Sequence, residues 1–90
     1  MQIQLNTDKH IPHTADRQEQ VEKILKQQLK HLAHNLTRVE VHLSDVNSGR
    51  GGADDKRCLI EARPAGLQPI TAEHRADTID LALSGAAGQL

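Results

Sequence analysis

"LTRVEVHLSDVNSGRGGADDKRCLIEARP", residues 36 to 64, reads as two alternating runs separated by a polar, glycine-rich connection. In the first run Val39, Val41 and Leu43 fall on one face and Arg38, Glu40 and His42 on the other, the period of two expected of a strand with one buried side. In the second run Cys58, Ile60 and Ala62 face inward and Arg57, Leu59, Glu61 and Arg63 outward, with Pro64 at the end, where a residue without an N–H terminates a central ladder. Residues 45 to 55 join the two as a long hairpin connection.

Working outward from this pair, Met1 to Leu5 alternates Gln2 and Gln4 with Ile3 and Leu5 and predicts a first strand. Between it and residue 36, Val21, Ile24, Leu25, Leu29 and Leu32 recur at steps of three and four, one side of a helix. Thr14 or Asp16 is placed to cap its free amides, so the helix is expected to begin near Ala15. On the C-terminal side, "LQPITAEHR" at 67 to 75 follows a tight "PAG" connection and supplies a fourth strand with Ile70 and Ala72 inward. Asp77 or Thr78 then caps a last helix in which Ile79, Ala82, Leu83, Ala86 and Leu90 share a side. Gly85 and Gly88 weaken that helix by up to ~1 kcal/mol each, and small residues there point to close packing.

The order is strand, helix, three strands, helix. Strands joined by short connections pair antiparallel, and both helices cover one sheet face. The expected class is α+β, a two-layer β-α-β-β-β-α domain with a four-stranded, mostly antiparallel sheet and two helices packed on one face. Ninety residues suffice for one such domain, residues 1–90, and not for two cores. With no Phe, Tyr or Trp, that core is aliphatic, and base stacking on aromatic rings is excluded.

Candidate chemistry narrows quickly. Asp45, Asn47 and Gly49 imitate the start of an EF-hand loop, but Arg50 and Lys56 stand where it needs a glycine and a bidentate glutamate. "GRGG" lacks the Lys and Ser or Thr of a P-loop and leads into a strand. His10 with His13, and His31 with His34, have spacings that suit a zinc ion, but no third ligand accompanies them. Cys58 is turned inward, where a thiol behaves as a small apolar group. Asp54 and Asp55 are adjacent, so in a strand they point to opposite faces and make a poor acid and base pair. The reading is of a protein with no catalysis, no cofactor and no metal, and without a small-molecule substrate. The lone cysteine, the absence of any apolar run near ~18 residues and of a signal pattern place it in the cytoplasm, with no membrane association.

What remains is electrostatic. Net charge is −1, so only local patches can steer a partner. Lys23, Lys26 and Lys30, with His34, lie opposite the apolar side of the first helix, while Asp16, Glu19 and Glu22 occupy its early turns, as the helix dipole favours. A helix that buries one side must solvate the other, so such a row is often a plain surface. It is also the arrangement that phosphate binding needs.

The order of elements, together with "MQIQLNTDKHI", "LTRVEVHLSD", "DDKRCLIEARPAG" and "TIDLALSGAAGQL", resembles the ribosome hibernation-promoting factor and RaiA family of ribosome-associated proteins in its short, single-domain form. The resemblance spans nearly the whole chain. It implies two roughly parallel helices on a four-stranded sheet. It also implies binding to the small ribosomal subunit and its rRNA, in the channel used by messenger and transfer RNA, which silences translation under stress or in stationary phase. Carried over by residue, it makes Lys23, Lys26 and Lys30 phosphate contacts, with Lys9, Arg38, Arg57 and Arg75 as flankers and Arg50 in the glycine-rich connection approaching RNA or protein. Members of that family are basic and carry cations in the last helix, whereas Thr78 to Leu90 here has none. The alternative reading is therefore a protein-interaction module of the same fold that has lost the basic RNA-binding surface.

Overall fold

The computed structural model describes residues 2–46 and 55–90. Its elements are β1 (Gln2–Thr7), α1 (Ala15–Gln28), a short 3-10 turn (Ala33–Asn35), β2 (Leu36–Asp45), β3 (Lys56–Pro64), β4 (Ile70–Ala76) and α2 (Ile79–Ala87). The sheet order is β1-β2-β3-β4. β1 and β2 are parallel, while β2–β3 and β3–β4 are antiparallel. A parallel neighbour needs a crossover, and α1 is that crossover. The expected α+β architecture is what the chain adopts, with one parallel pair in an otherwise antiparallel sheet.

Alternation decides the layers. Leu5, Val39, Val41, Leu43, Cys58, Ile60, Ala62, Ala72 and Ala76 are buried on one sheet face, and Val21, Leu25, Leu29, Ala82, Leu83, Ala86 and Ala87 from the helices meet them. No aromatic fills this interior, so its density comes from close approach of small residues. Gly85 is the most closely approached of the described glycines: a Cβ there would lie 2.2 Å from Cδ2 of His74 on β4. The imidazole of His74 thus lies directly against the α2 backbone.

Both helix starts are capped as the sequence indicates. Thr14 Oγ1 accepts from the Arg17 N–H at 3.1 Å, and Thr78 Oγ1 from the Leu81 N–H at 3.2 Å, each satisfying an otherwise unpaired first-turn donor. The end of α1 differs from expectation. The helix stops at Gln28 with Leu29 as its C-cap, and Leu32 precedes the 3-10 turn. Leu29 and Leu32 still face the core, so the apolar spacing continues while the backbone tightens. α2 likewise ends at Ala87, and Leu90 packs on the core from beyond it.

Asp8 fastens the β1–α1 connection to the far end of β2. Its Oδ1 accepts from the backbone N–H of His10 (3.0 Å) and Ile11 (3.1 Å), and Oδ2 from that of Asp45 (3.0 Å). Desolvation alone would raise its pKa. The bonds from Asp45, His10 and Ile11 outweigh it and hold the carboxyl below the usual aspartate value.

Candidate nucleic-acid interface

The seven candidate cations fall on two surfaces. Lys23 and Lys26 stand on the exposed side of α1, and Lys30 follows in the turn beyond its end rather than on the helix. All three are exposed, and none makes an ion pair with another described residue. Lys9 is exposed in the turn after β1. These four belong to the helix layer and its connections.

Arg38, Arg57 and Arg75 project from the opposite, open face of the sheet, because their strand neighbours Val39, Cys58 and Ala76 point into the core. Two of the three are already engaged by carboxylates. Arg38 Nη2 is 3.2 Å from Glu40 Oε1 and also donates to Gln4 Oε1, and Arg57 Nη2 is 2.7 Å from Glu73 Oε2. The hydrogen bond from Arg57 holds the Glu73 carboxyl below its ordinary pKa, against a smaller effect of desolvation. Arg75, the cross-strand neighbour of Arg57, makes no ion pair among the described residues. Arg63, absent from the sequence-derived set, joins this face, 2.8 Å from Glu61 and 3.5 Å from Glu40.

Across β2 and β3 the open face is therefore banded. Arg38 lies opposite Arg63, Glu40 opposite Glu61, and His42 opposite Leu59. Such a surface is close to neutral over a few ångströms, whereas Lys23, Lys26 and Lys30 make no ion pair among the described residues, although Glu19 and Glu22 lie one turn before Lys23 and Lys26 on α1. Beside Arg57 lies a shallow polar depression lined by Asn6, Thr7, Asp8, His42, Leu43 and Ser44. Its acid is held by backbone amides and its arginine by Glu73.

The other candidates are accounted for by packing. Cys58 is buried, and burial pushes its thiol up to about 12, the nearby Arg57 offsetting this only partly, so at neutral pH it is not a nucleophile. Asp55 is buried and pairs with Lys56 at 3.0 Å, and Asp45 is 3.4 Å from the same ammonium. Among the described residues no three His, Cys, Asp or Glu side chains come together as a metal site. The EF-hand imitation, the GRGG stretch, Arg50 and Asp54 include positions outside the described residues. Among the described residues no helix is long and apolar enough to cross a membrane.

A profile of the Sigma 54 modulation protein / S30EA ribosomal protein family matches residues 5–90. The chain belongs to this family. It is a family of ribosome-associated proteins and not of enzymes, in agreement with the resemblance read from the sequence strings. No curated protein sequence matches the chain. Among solved structures, a ribosomal subunit interface protein from Coxiella burnetii is similar with a TM-score of 0.78 at 13% identity, covering 99% of this chain and 88% of that one. The N-terminal domain of Protein Y from Thermus thermophilus is similar with a TM-score of 0.74 at 19% identity, covering 99% and 90%. At these identities the likeness is one of fold.

One feature of the helix layer has no counterpart in the sequence reading. Leu32, Asn35, Leu36, Pro64, Ala65, Leu67 and Ile70 line an apolar cleft of about 260 Å³, between the end of α1 and the β3–β4 turn. Its residues come from three segments with no shared period. The only local signal was the apolar pair Leu67 and Ile70 on either side of Gln68 and Pro69, at the entry to β4.

Proposed function

We propose that this protein binds rRNA of the small ribosomal subunit through the lysines of its helix layer, and that by occupying the path of messenger or transfer RNA it silences translation under stress in the cytoplasm. The observation that carries the reading is the row Lys23, Lys26 and Lys30, exposed and unpaired among the described residues, on a chain of a ribosome-associated family. A lysine ammonium is a mobile point charge with three donors, suited to backbone phosphates and indifferent to base identity. Lys9 extends the row toward the N-terminal ends of the helices. Arg38, Arg57 and Arg75 lie on the other face and serve as contacts only if RNA also passes there. Of these, Arg75 alone would do so without leaving a carboxylate.

A second reading, a protein-interaction module of the same fold, is favoured by the banded sheet face and by an α2 that carries Asp80 and no cation. Co-sedimentation separates the two. The parent is expected to travel with small subunits at low salt and to be released as salt rises, and the Lys23→Glu, Lys26→Glu, Lys30→Glu variant to remain unbound while keeping its helical circular dichroism. Equal sedimentation of parent and triple variant refutes the lysine reading. Capture of one protein without rRNA from stationary-phase lysate favours the second.

A further inference from the structure

The apolar cleft is lined without a carboxylate side chain. No acid occurs between Glu22 and Glu40, between Glu61 and Glu73, or after Asp80. The cleft is built from the first two of these stretches. One lysine and two histidines of the first stretch are interleaved with the lining itself. Lys30 and His31 precede Leu32, and His34 sits between Leu32 and the pair Asn35 and Leu36; all three are exposed. At the mouth, Leu67 is 74% and Ile70 49% exposed, although a short aliphatic core gains from every side chain it buries. A concave apolar site with a single amide, Asn35, and with the Lys30 ammonium and the His31 and His34 imidazoles close by in the chain has the make-up of a specific binding cleft.

We propose that this cleft is a docking site for a short acidic protein segment, one aliphatic side chain of which enters between Leu32, Leu36, Leu67 and Ile70 while its flanking carboxylates face Lys30, His31 and His34. A nucleobase is the weaker fit, because the walls offer no ring or guanidinium plane on which to stack and only one hydrogen-bonding side chain. A helix or strand with an aliphatic anchor and acidic neighbours uses what is present: apolar area at the centre and opposite charge at the rim. The partner would share Lys30 with the RNA-binding row of the proposed function, while Lys23 and Lys26 stand farther back on α1.

The probe is a capped peptide, Asp-Glu-Leu-Leu-Glu-Asp, titrated into the full chain with methyl-labelled Leu and Ile and followed by NMR. Saturable shifts confined to the methyls of Leu32, Leu36, Leu67 and Ile70 are expected, weaker as salt rises. They should be lost with the Leu→Ser peptide and with a peptide carrying Lys in place of its acids. Ile70→Asp is expected to reduce affinity about tenfold or more, as for loss of one buried aliphatic contact plus a new like charge. Leu67→Asp provides a second variant at a more exposed position, and unchanged far-UV spectra show that each is folded. Absence of saturable shifts at millimolar peptide, or an equal response to the lysine peptide, overturns the proposal. So does a titration in which a short single-stranded RNA moves these methyls and the peptide does not.

Discussion

Replacing Gly85 by alanine tests the contact on which the α2–β4 packing turns. In an open helix interior the substitution stabilises by up to ~1 kcal/mol, because glycine loses more backbone freedom on folding. Here the added methyl would stand 2.2 Å from Cδ2, 2.5 Å from Cγ and 2.6 Å from Nε2 of His74, all shorter than real Cβ contacts. Either the imidazole swings off the helix or α2 retreats from β4, loosening Ala82, Leu83 and Ala86, which it buries. Because His74 is otherwise exposed, its ring can yield toward solvent, and the cost is at the low end of that seen for overpacking, about 1 kcal/mol, enough to cancel the helical gain. Removing the ring first, by His74→Ala, removes the obstacle. The expected result of a double-mutant cycle by urea denaturation is therefore a coupling of about 1 kcal/mol. Gly85→Ala would be close to neutral in the parent and stabilising in the His74→Ala background, a difference of roughly 1 M in the urea midpoint. If Gly85→Ala raises the midpoint equally in both backgrounds, the imidazole does not rest on Gly85 and the explanation of this glycine is wrong.

Asp8→Ala removes the acceptor of three backbone N–H groups and should cost about 1–3 kcal/mol, measured by the same denaturation. Because the folded carboxyl titrates below its ordinary value, its stabilisation is complete above the unfolded pKa of about 4 and is lost as pH falls through the lower folded value; the stability difference between parent and Asp8→Ala should shrink only below about pH 4. Cys58, buried and with its thiol pushed up to about 12, should resist a disulfide-exchange reagent at pH 7.5 and react at the rate of chain opening. Fast stoichiometric labelling of native protein would show the strand phase of β3 to be misassigned.

Strand existence and phase were legible in the sequence because burial on one face imposes a period of two, and Cys58, Ile60 and Ala62 obey it without exception. Both helix starts were legible for a similarly local reason, each narrowed to two capping candidates of which the structure uses the threonine. The end of α1 was not. Leu29 and Leu32 satisfy a helical spacing, but the Leu32 N–H bonds to Leu29 O and the Asn35 N–H to Leu32 O, turns of three that a spacing of three or four residues cannot distinguish from α-helix. Nothing between Gln28 and Leu36 is a glycine or proline, so no stop signal was available. The candidate cations were identified as charges, but their division between faces follows from joining two separate patterns. A residue outward on a strand lies opposite the helices, which puts Arg38, Arg57 and Arg75 behind the sheet and the lysines in front. The apolar cleft was invisible because Leu36 and Ile70 meet only after β2, β3 and β4 have paired.

This division makes a quantitative demand on any RNA complex. With a net charge of −1, the chain as a whole exerts little long-range attraction, so affinity must come from the particular cations that touch phosphate. Docking through Lys23, Lys26 and Lys30 alone releases three counterions' worth of salt dependence, a log–log slope of about −2 to −3. Engagement of all seven candidates would give about −5 to −6 by the same rule, but it requires RNA on both faces and the rupture of the Arg38–Glu40 and Arg57–Glu73 pairs. Each carboxylate so uncovered would stand beside phosphate and offset part of what its arginine contributes. The slope measured for small-subunit RNA, parent against Arg57→Gln and against Lys26→Gln, therefore reports which face docks. A shallow slope that Lys26→Gln reduces by nearly one unit, and Arg57→Gln leaves unchanged, is expected. A steep slope reduced by both would mean that the arginines trade their glutamates for phosphate and that the sheet, not only the helix layer, meets the ribosome.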